Sequence, residues 1–489
     1  MVKSKKSKKR KNRKYKGFKA NTARARKINA STAYETCTEQ LSPFGGLLPL
    51  IKFFDLVDFK QIFSFGYIAP RREPKLGHYR MFVGLLMLLF IGFNRIWHFT
   101  HIRLDAMLCG FFRLTKLPVA STFWRYVDSM GINQGKSLIN IASCLRERVW
   151  KQIGISYNRI DIDIDTTVET LYGNQQGGRK GHNTKSRGKK GYRPVLCFIA
   201  QTREYLIGKL RKGKTMSGEQ TAAFIHQIKE QLPGCVQQVL LRADGEFLSS
   251  HSVQAAVACR FDFIIANKGC EPPFASESWY RPFKRKDIEY NSCVYQPTGW
   301  LTPHRFVAMR IPKKQQLSKS NQPVQCELFT DDQYTYRIFC TNVSTKAHEV
   351  VDQYDKRADV ENLVGEAKRE GLGAIPSSKF KNNYAFFQVV MLAYNIWRYM
   401  KLIASVKPSS DQPGVVTLAA NTIRIARLKL LFIAAKVVKD QNRDKVKFSI
   451  HDARTLTMLG LLTRLDEMRS NPRPWNQTNG WPQRFAYGI

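Results

Sequence analysis

Acidic residues are scarce in this chain. Against 79 lysines and arginines stand 38 aspartates and glutamates, and none of those acids precedes Glu35. The formal net charge of +41 and the pI of about 10.0 imply a polyanionic partner. Nucleic acid is the first expectation, with an anionic membrane surface or an RNA-rich particle as competitors. The ten cysteines contain no C-x-x-C pair, which argues against a zinc ribbon or a disulfide scaffold and for reduced thiols in a cytosolic protein. Long apolar runs are also lacking. The longest, MFVGLLMLLFIGF at 81–93, is too short to span a bilayer and reads as a core helix. The start of the chain has no apolar stretch of the secretory kind. The Gly-rich basic loop GNQQGGRKGHNTKSRGKKG at 173–191 lacks Walker spacing, so it predicts contact with DNA and not with a nucleotide.

What the chain has is 43% hydrophobic residues over 489 positions, enough for two to four domains with a sizeable core. Three acidic segments stand out. IDIDIDTT at 160–167 alternates isoleucine with Asp161, Asp163 and Asp165, so a strand there sets three carboxylates on one face. VLLRADGEF at 239–247 is a buried apolar run ending in Asp244, with a second acid, Glu246, two residues on. YDKRADVENLVGEAK at 354–368, read as one helix at ~100° per residue, places Tyr354, Arg357, Glu361 and Lys368 within a sector of about 60°. Asp355, Asp359 and Glu366 then point elsewhere, and Glu366→Gln is expected to be nearly silent. Three carboxylates brought together without a cation would be costly, and hard divalent ions take oxygen ligands. Two acids on strands and one on a helix suit a pair of such ions ~3.5–4 Å apart.

Asp165-Thr166-Thr167, Asp244 and the Y-x2-R-x3-E-x6-K spacing resemble the DDE transposases of bacterial insertion sequences, in the branch with the tyrosine–arginine–glutamate–lysine signature. SPFGGLLPLI at 42–51, GKKGYRPVLCF at 188–198, RKGKTMSG at 211–218 and TIRIARLKLLFIAAKVV at 422–438 add a resemblance to the 1380 group of those transposases. The likeness runs from about residue 40 to 450. It implies an RNase H-like catalytic core within an α/β fold, with a β-rich insertion and an N-terminal helical DNA-binding region. It implies Asp165, Asp244 and Glu361 as the catalytic, metal-binding triad, with Asp163 as a helper ligand, and Mg²⁺ or Mn²⁺ as a pair of ions. Tyr354, Arg357 and Lys368 would contact phosphates of the transposon end. Arg242 is counted with these DNA-binding cations, and Trp300 is a speculative stacking platform for a flipped base. Transposon-end and target DNA are the implied partners, with a homodimer in the synaptic complex, no membrane, and a nucleoid-associated place in bacterial cytoplasm. The implied reaction is cut-and-paste transposition, with a hairpin second-strand step by analogy. A metal-dependent nuclease without strand transfer and an inactive DNA-binding derivative are the rivals.

The chain divides into a basic disordered arm over 1–35, a helical DNA-binding region over 36–153, a first part of the catalytic core over 154–270, a β-rich insertion over 271–345, a second part of the core carrying the glutamate helix over 346–405, and a C-terminal region for DNA or partner contacts over 406–489. Lys5, Lys6, Lys8, Lys9 and Arg10 lead the arm's expected phosphate contacts. LPVASTFWRYVDSM at 117–130 reads as a short helix–turn–helix segment capped by Ser121 or Thr122, with a purely structural bundle nearly as good a reading. Strands are expected near 159–167, 192–200, 203–210, 237–243 and 261–266, with helices near 217–231 and 249–259. That βββαβαβ order is the RNase H-like one. Trp279 is read as core, and His98 and His101 as structural.

Overall fold

Leu47, Leu50, Phe53 and Phe54 recur at helical spacing, and a helix gathers them on one buried face. This is α1 (Leu47–Leu56), entered from the short strand β1 (Leu41–Ser42). The computed structural model describes residues 28–181, 186–283, 285, 287–312, 334–405, 418 and 420–472. Lys5, Lys6, Lys8, Lys9, Arg10 and residues 473–489 lie outside the described residues. The chain separates into two units, Met1–Glu39 and Gln40–Ile489. In the first, the Asn29 side chain accepts from the Ser31 amide in a local turn.

Six more helices follow α1: α2 (Phe59–Gly66), α3 (His78–Ile91), α4 (Phe99–Ile102), α5 (Ala106–Phe112), α6 (Ala120–Ser129) and α7 (Ile132–Ile153). Every residue of α3 from Met81 to Ile91 is buried, as its unbroken apolar run requires. Gly92, at φ +102°, stops it in the left-handed conformation while the Gly92 and Phe93 amides take up carbonyls of the last turn. Among the described residues no single helix is long and apolar enough to cross a membrane. α6 begins at Ala120 with no side-chain cap. Ser121 and Thr122 therefore lie inside its first turn and do not cap it, contrary to the sequence expectation.

The middle of the chain alternates as its hydrophobic periods dictate: β2 (Arg159–Thr166), β3 (Glu169–Thr170), β4 (Arg179–Lys180), β5 (Lys190–Tyr192), β6 (Val195–Ile199), β7 (Glu204–Lys209), α8 (Gly218–Glu230), β8 (Gln238–Ala243), α9 (Ser250–Ala258) and β9 (Asp262–Ala266). Ser217 and Gln220 close a reciprocal capping box at the start of α8. Next come β10 (Glu289–Tyr295), β11 (His304–Pro312), β12 (Tyr334–Thr341), α10 (Ala347–Asp355), α11 (Asp359–Ala367) and α12 (Phe380–Ser405). The chain closes with α13 (Ile423–Leu430), β13 (Ala435–Asp440), β14 (Arg443–Phe448) and α14 (Arg454–Ser470).

Eight strands form one mixed sheet in the order β10-β11-β12-β9-β8-β2-β6-β7. β2 runs parallel to β8 and antiparallel to β6, and β8 runs parallel to β9. The strands of the expected 271–345 insertion do not stand apart. β12 pairs with β9, so β10, β11 and β12 extend the central sheet, because an unpaired edge strand at β9 would leave its backbone groups unsatisfied. Ile160, Ile162 and Ile164 of β2 share an apolar cluster with Phe224, Ile225 and Ile228 of α8 and Val253 and Ala256 of α9. The Asp face of β2 is turned the other way, toward α11.

The helices of 36–153 do not form a separate body either. Their apolar residues share one cluster with α12, α13 and α14. α12 is buried from Asn382 to Trp397 and beyond, so it needs cover on its outer side as well as on the sheet side. α3 supplies part of that cover. Phe90 stacks on Trp397 with centroids 4.0 Å apart, and the Trp397 indole donates to the Phe90 carbonyl at 3.0 Å. Elsewhere β1, β13 and β14 make a small antiparallel sheet, and β3, β5 and β4 make another.

Candidate active site

Parallel pairing of β2 and β8 sets Asp163 opposite Arg242 and Ile164 opposite Ala243. One rung further along, Asp165 and Asp244 leave the ends of strands spaced about 4.8 Å apart. Asp244 caps a single 3-10 turn, and its carboxylate accepts the Glu246 amide at 3.0 Å. Asp165, its side chain 16% exposed, accepts the Thr166 amide at 2.9 Å. Burial pushes the Asp165 carboxyl up to about 6. The Arg357 guanidinium opposes that rise, while the negative charges of Asp244 and Glu361 add to it. The Asp244 carboxyl is likewise pushed up, chiefly by burial. Glu361, exposed in the first turn of α11, thus lies within electrostatic reach of Asp165.

As the side chains stand, no three His, Cys, Asp or Glu among the described residues are grouped closely enough to hold a metal ion. Arg357 accounts for part of this. It is buried, and its Nη2 donates to the Ile164 carbonyl at 2.9 Å and lies 3.3 Å from Asp165 Oδ1. The donor set itself is all carboxylate oxygen, the kind hard divalent ions take. By residue type these acids suit such an ion.

Residues 25–470 match the family model described as transposase DDE domain, group 1. The chain belongs to this family of DDE transposases. It is an enzyme that cleaves and transfers DNA, and its family depends on divalent metal ions. The cryo-EM structure of the piggyBac transposase synaptic complex with hairpin DNA is 12% identical to this chain, with 89% of this chain and 87% of that one covered at a TM-score of 0.40. No curated protein matches the chain.

In this transposase the signature segment is not one helix. α10 ends at Asp355, Lys356–Ala358 form a 3-10 turn, α11 takes over, and Lys368–Leu372 form a π turn with Gly371 at φ +119°. The backbone nevertheless keeps right-handed helical angles at both joins as far as Lys368, and Tyr354, Arg357 and Glu361 all lie within electrostatic reach of Asp165. Tyr354 packs on Phe339, with centroids 4.5 Å apart. Its hydroxyl is pushed up mainly by burial, with Arg357 opposing and Asp244 and Asp165 adding to the rise. Arg357 is engaged by Asp165 instead of standing free for phosphate. Lys368 turns back to the Val168 carbonyl at 2.8 Å and to Glu169 at 3.3 Å.

Two further expectations are corrected by register. Arg242 is 1% exposed and Asp163 2%, and the two form a bidentate pair at 2.7 and 3.0 Å. Arg242 also donates to the Gln353 carbonyl. Neither Asp163 as a metal ligand nor Arg242 as a DNA contact is compatible with this. Facing positions on adjacent strands bury both charges, and pairing is what makes that tolerable. Glu366 is also not idle. It is 5% exposed, paired with Arg398, and accepts the Ile423 amide at 2.5 Å.

The sequence reading missed a bracket around the two strand acids. Glu246 pairs with Arg193 and accepts the Thr166 hydroxyl at 3.0 Å. It thereby ties the residue after Asp165 to the turn that carries Asp244. Arg193 sits within GKKGYRPVLCF, but nothing in that stretch reveals its partner. Trp300 is half-buried, 5.6 Å from the His304 ring, and packs on the sheet core. The Arg310 guanidinium lies 4.2 Å from the Trp279 ring.

Proposed function

We propose that this transposase cuts the ends of a bacterial insertion sequence and joins the freed 3′ ends to target DNA at Asp165, Asp244 and Glu361. The observation that carries the reading is the convergence of two carboxylates at the ends of neighbouring parallel strands, with the charge of a third acid bearing on Asp165. The order β7-β6-β2-β8-β9, with the first long strand central, supports an RNase H-like core. Asp165, Asp244 and Glu361 would hold Mg²⁺ or Mn²⁺ as a pair. Bound there, such ions supply charge stabilisation at phosphorus and a lower pKa for the attacking oxygen. Arg357 favours the ionised form of Asp165 and aims it. The Arg193–Glu246–Thr166 bracket holds the Asp244 turn in place, and Tyr354 borders the acids. Membership of the 1380 group, a homodimeric synaptic complex, a hairpin second-strand step and a nucleoid-associated cytoplasmic setting belong to the same reading.

A strand-transfer assay with pre-cut transposon ends tests it. Wild-type protein should join these ends to target DNA, and Glu361→Gln should not, while end binding stays nearly unchanged. Cleavage without joining would favour the plain nuclease. Removal of residues 1–27 should weaken DNA binding and flatten its dependence on salt, because cations of the arm that sit on phosphates displace counterions from the DNA. An unchanged slope in a salt titration would take the arm out of the interface.

A further inference from the structure

Beyond the acids, β2 runs into a second structure that the reaction scheme leaves unused. The β3-β5-β4 sheet hangs from the end of β2. The Thr167 amide donates to the Pro194 carbonyl, Glu169 pairs with Tyr192, and Lys368 reaches the Val168 carbonyl. Glycines make this sheet tight. A Cβ at Gly213 would lie 2.5 Å from the Gly191 carbonyl and 2.7 Å from that of Arg179, and one at Gly181 would lie 2.3 Å from the Gly213 carbonyl. The Tyr192 hydroxyl donates to the Gln176 carbonyl, and the Gln176 amide donates to Ser378 ahead of α12. The sheet is thus fixed to both halves of the site.

Its outer surface carries one charge sign. Arg179, Lys180, Lys189, Lys212 and Lys214 are exposed. From 171 to 214 the only acid is Glu204, which is buried against Arg146. Among these cations Tyr172 is 81% exposed. The Lys189 ammonium lies over one face of its ring, 4.7 Å from the centroid, and the exposure leaves the other face open. A cationic track suits a phosphate backbone of any kind, but an open aromatic face suits only a base that is not already stacked. Bases inside a duplex have both faces covered. Tyr172 lies seven residues past Asp165, at most about 25 Å along the chain, which is the reach of a few nucleotides.

We propose that this small sheet binds an unpaired DNA strand next to the reacting end, with the cations on its phosphates and one base stacked on Tyr172. The proposal rests on the transposase reading for its location and adds the substrate form: an end that carries unpaired nucleotides.

The test is fluorescence anisotropy in EDTA, where no cleavage occurs, with a labelled duplex of the element's end made either blunt or with a short single-stranded extension. Tyr172→Ala should weaken binding of the extended duplex about tenfold and leave the blunt one unchanged, the scale expected for one stacked base. Tyr172→Phe should restore it, which separates missing stacking from a damaged fold. Lys212→Gln with Lys214→Gln should weaken both substrates and lower the salt slope by about 1.4–1.8, depending on strand form. Equal weakening on both substrates with Tyr172→Ala, or none at all, would overturn the proposal. Strand transfer by wild-type protein in the same preparation would keep the transposase reading standing in that case.

Discussion

Asp165→Asn is expected to abolish DNA cleavage, by about a thousandfold or more, without unfolding the protein. Losing several kcal/mol of charge stabilisation at phosphorus corresponds to a factor of that size. The same variant has a second signature that a simple packing defect would not give. In the folded protein the Asp165 carboxyl is pushed up to about 6 from an ordinary value of 3.8, first by burial and then by Asp244 and Glu361 against Arg357. The folded state therefore keeps a proton that the unfolded chain releases between roughly pH 4 and 6. Stability contributed by this group is complete below about pH 4 and lost as pH rises through about 6. Asparagine never ionises and does not suffer that loss. In EDTA at pH 7.5 the variant should melt at or above the wild-type temperature, with the advantage shrinking toward pH 4. Thermal melts at both pH values, run beside a cleavage assay, check the two halves. An inactive variant that melts well below wild type at pH 7.5 would assign Asp165 to the scaffold. Retained cleavage would remove it from the site.

Glu366→Ala should cost about 3–5 kcal/mol of stability, the usual consequence of removing one member of a buried ion pair. Glu366 pairs with Arg398 of α12 and accepts the amide of Ile423 at the start of α13. Truncation leaves a buried guanidinium without its carboxylate and an unpaired helix-terminal amide. One turn on, Glu370 pairs with Arg427 in the same way. These two pairs moor the segment that carries Glu361 to the helical layer, so loosening them should also reduce cleavage. Limited proteolysis and thermal melting read the effect directly. A melt within a degree of wild type would restore the silent role that the single-helix reading assigns to Glu366.

Strand and helix positions between 156 and 270 are legible because each has an unambiguous period. Alternating Ile and Asp make β2, and the apolar run ahead of Asp244 makes β8. The Ser217–Gln220 box marks the start of α8. The partners of buried charges are not legible. Nothing local tells Asp163 from Asp165, since both lie on one face of one strand. Only the alignment with β8 gives Arg242 to the first and leaves the second at the strand's end. The glutamate segment misleads for a related reason. Its apolar stripe is helical throughout, and nothing in it marks the 3-10 turn at Lys356–Ala358, the π turn at Lys368–Leu372 or the partners of Glu366.

Alone, the sequence pointed to the DDE transposase family, singled out the acids at 165, 244 and 361 as candidates, and gave the alternation of elements around them and the expectation of a polyanionic partner. Those follow from residue type and spacing, which are local. The tertiary structure alone decided that the late strands extend the central sheet, that the early helices wrap α12, that Arg357 answers Asp165, and that Glu246 with Arg193 braces the Asp244 turn. These depend on which distant segments meet, and that meeting is set by burial and charge pairing across the whole fold.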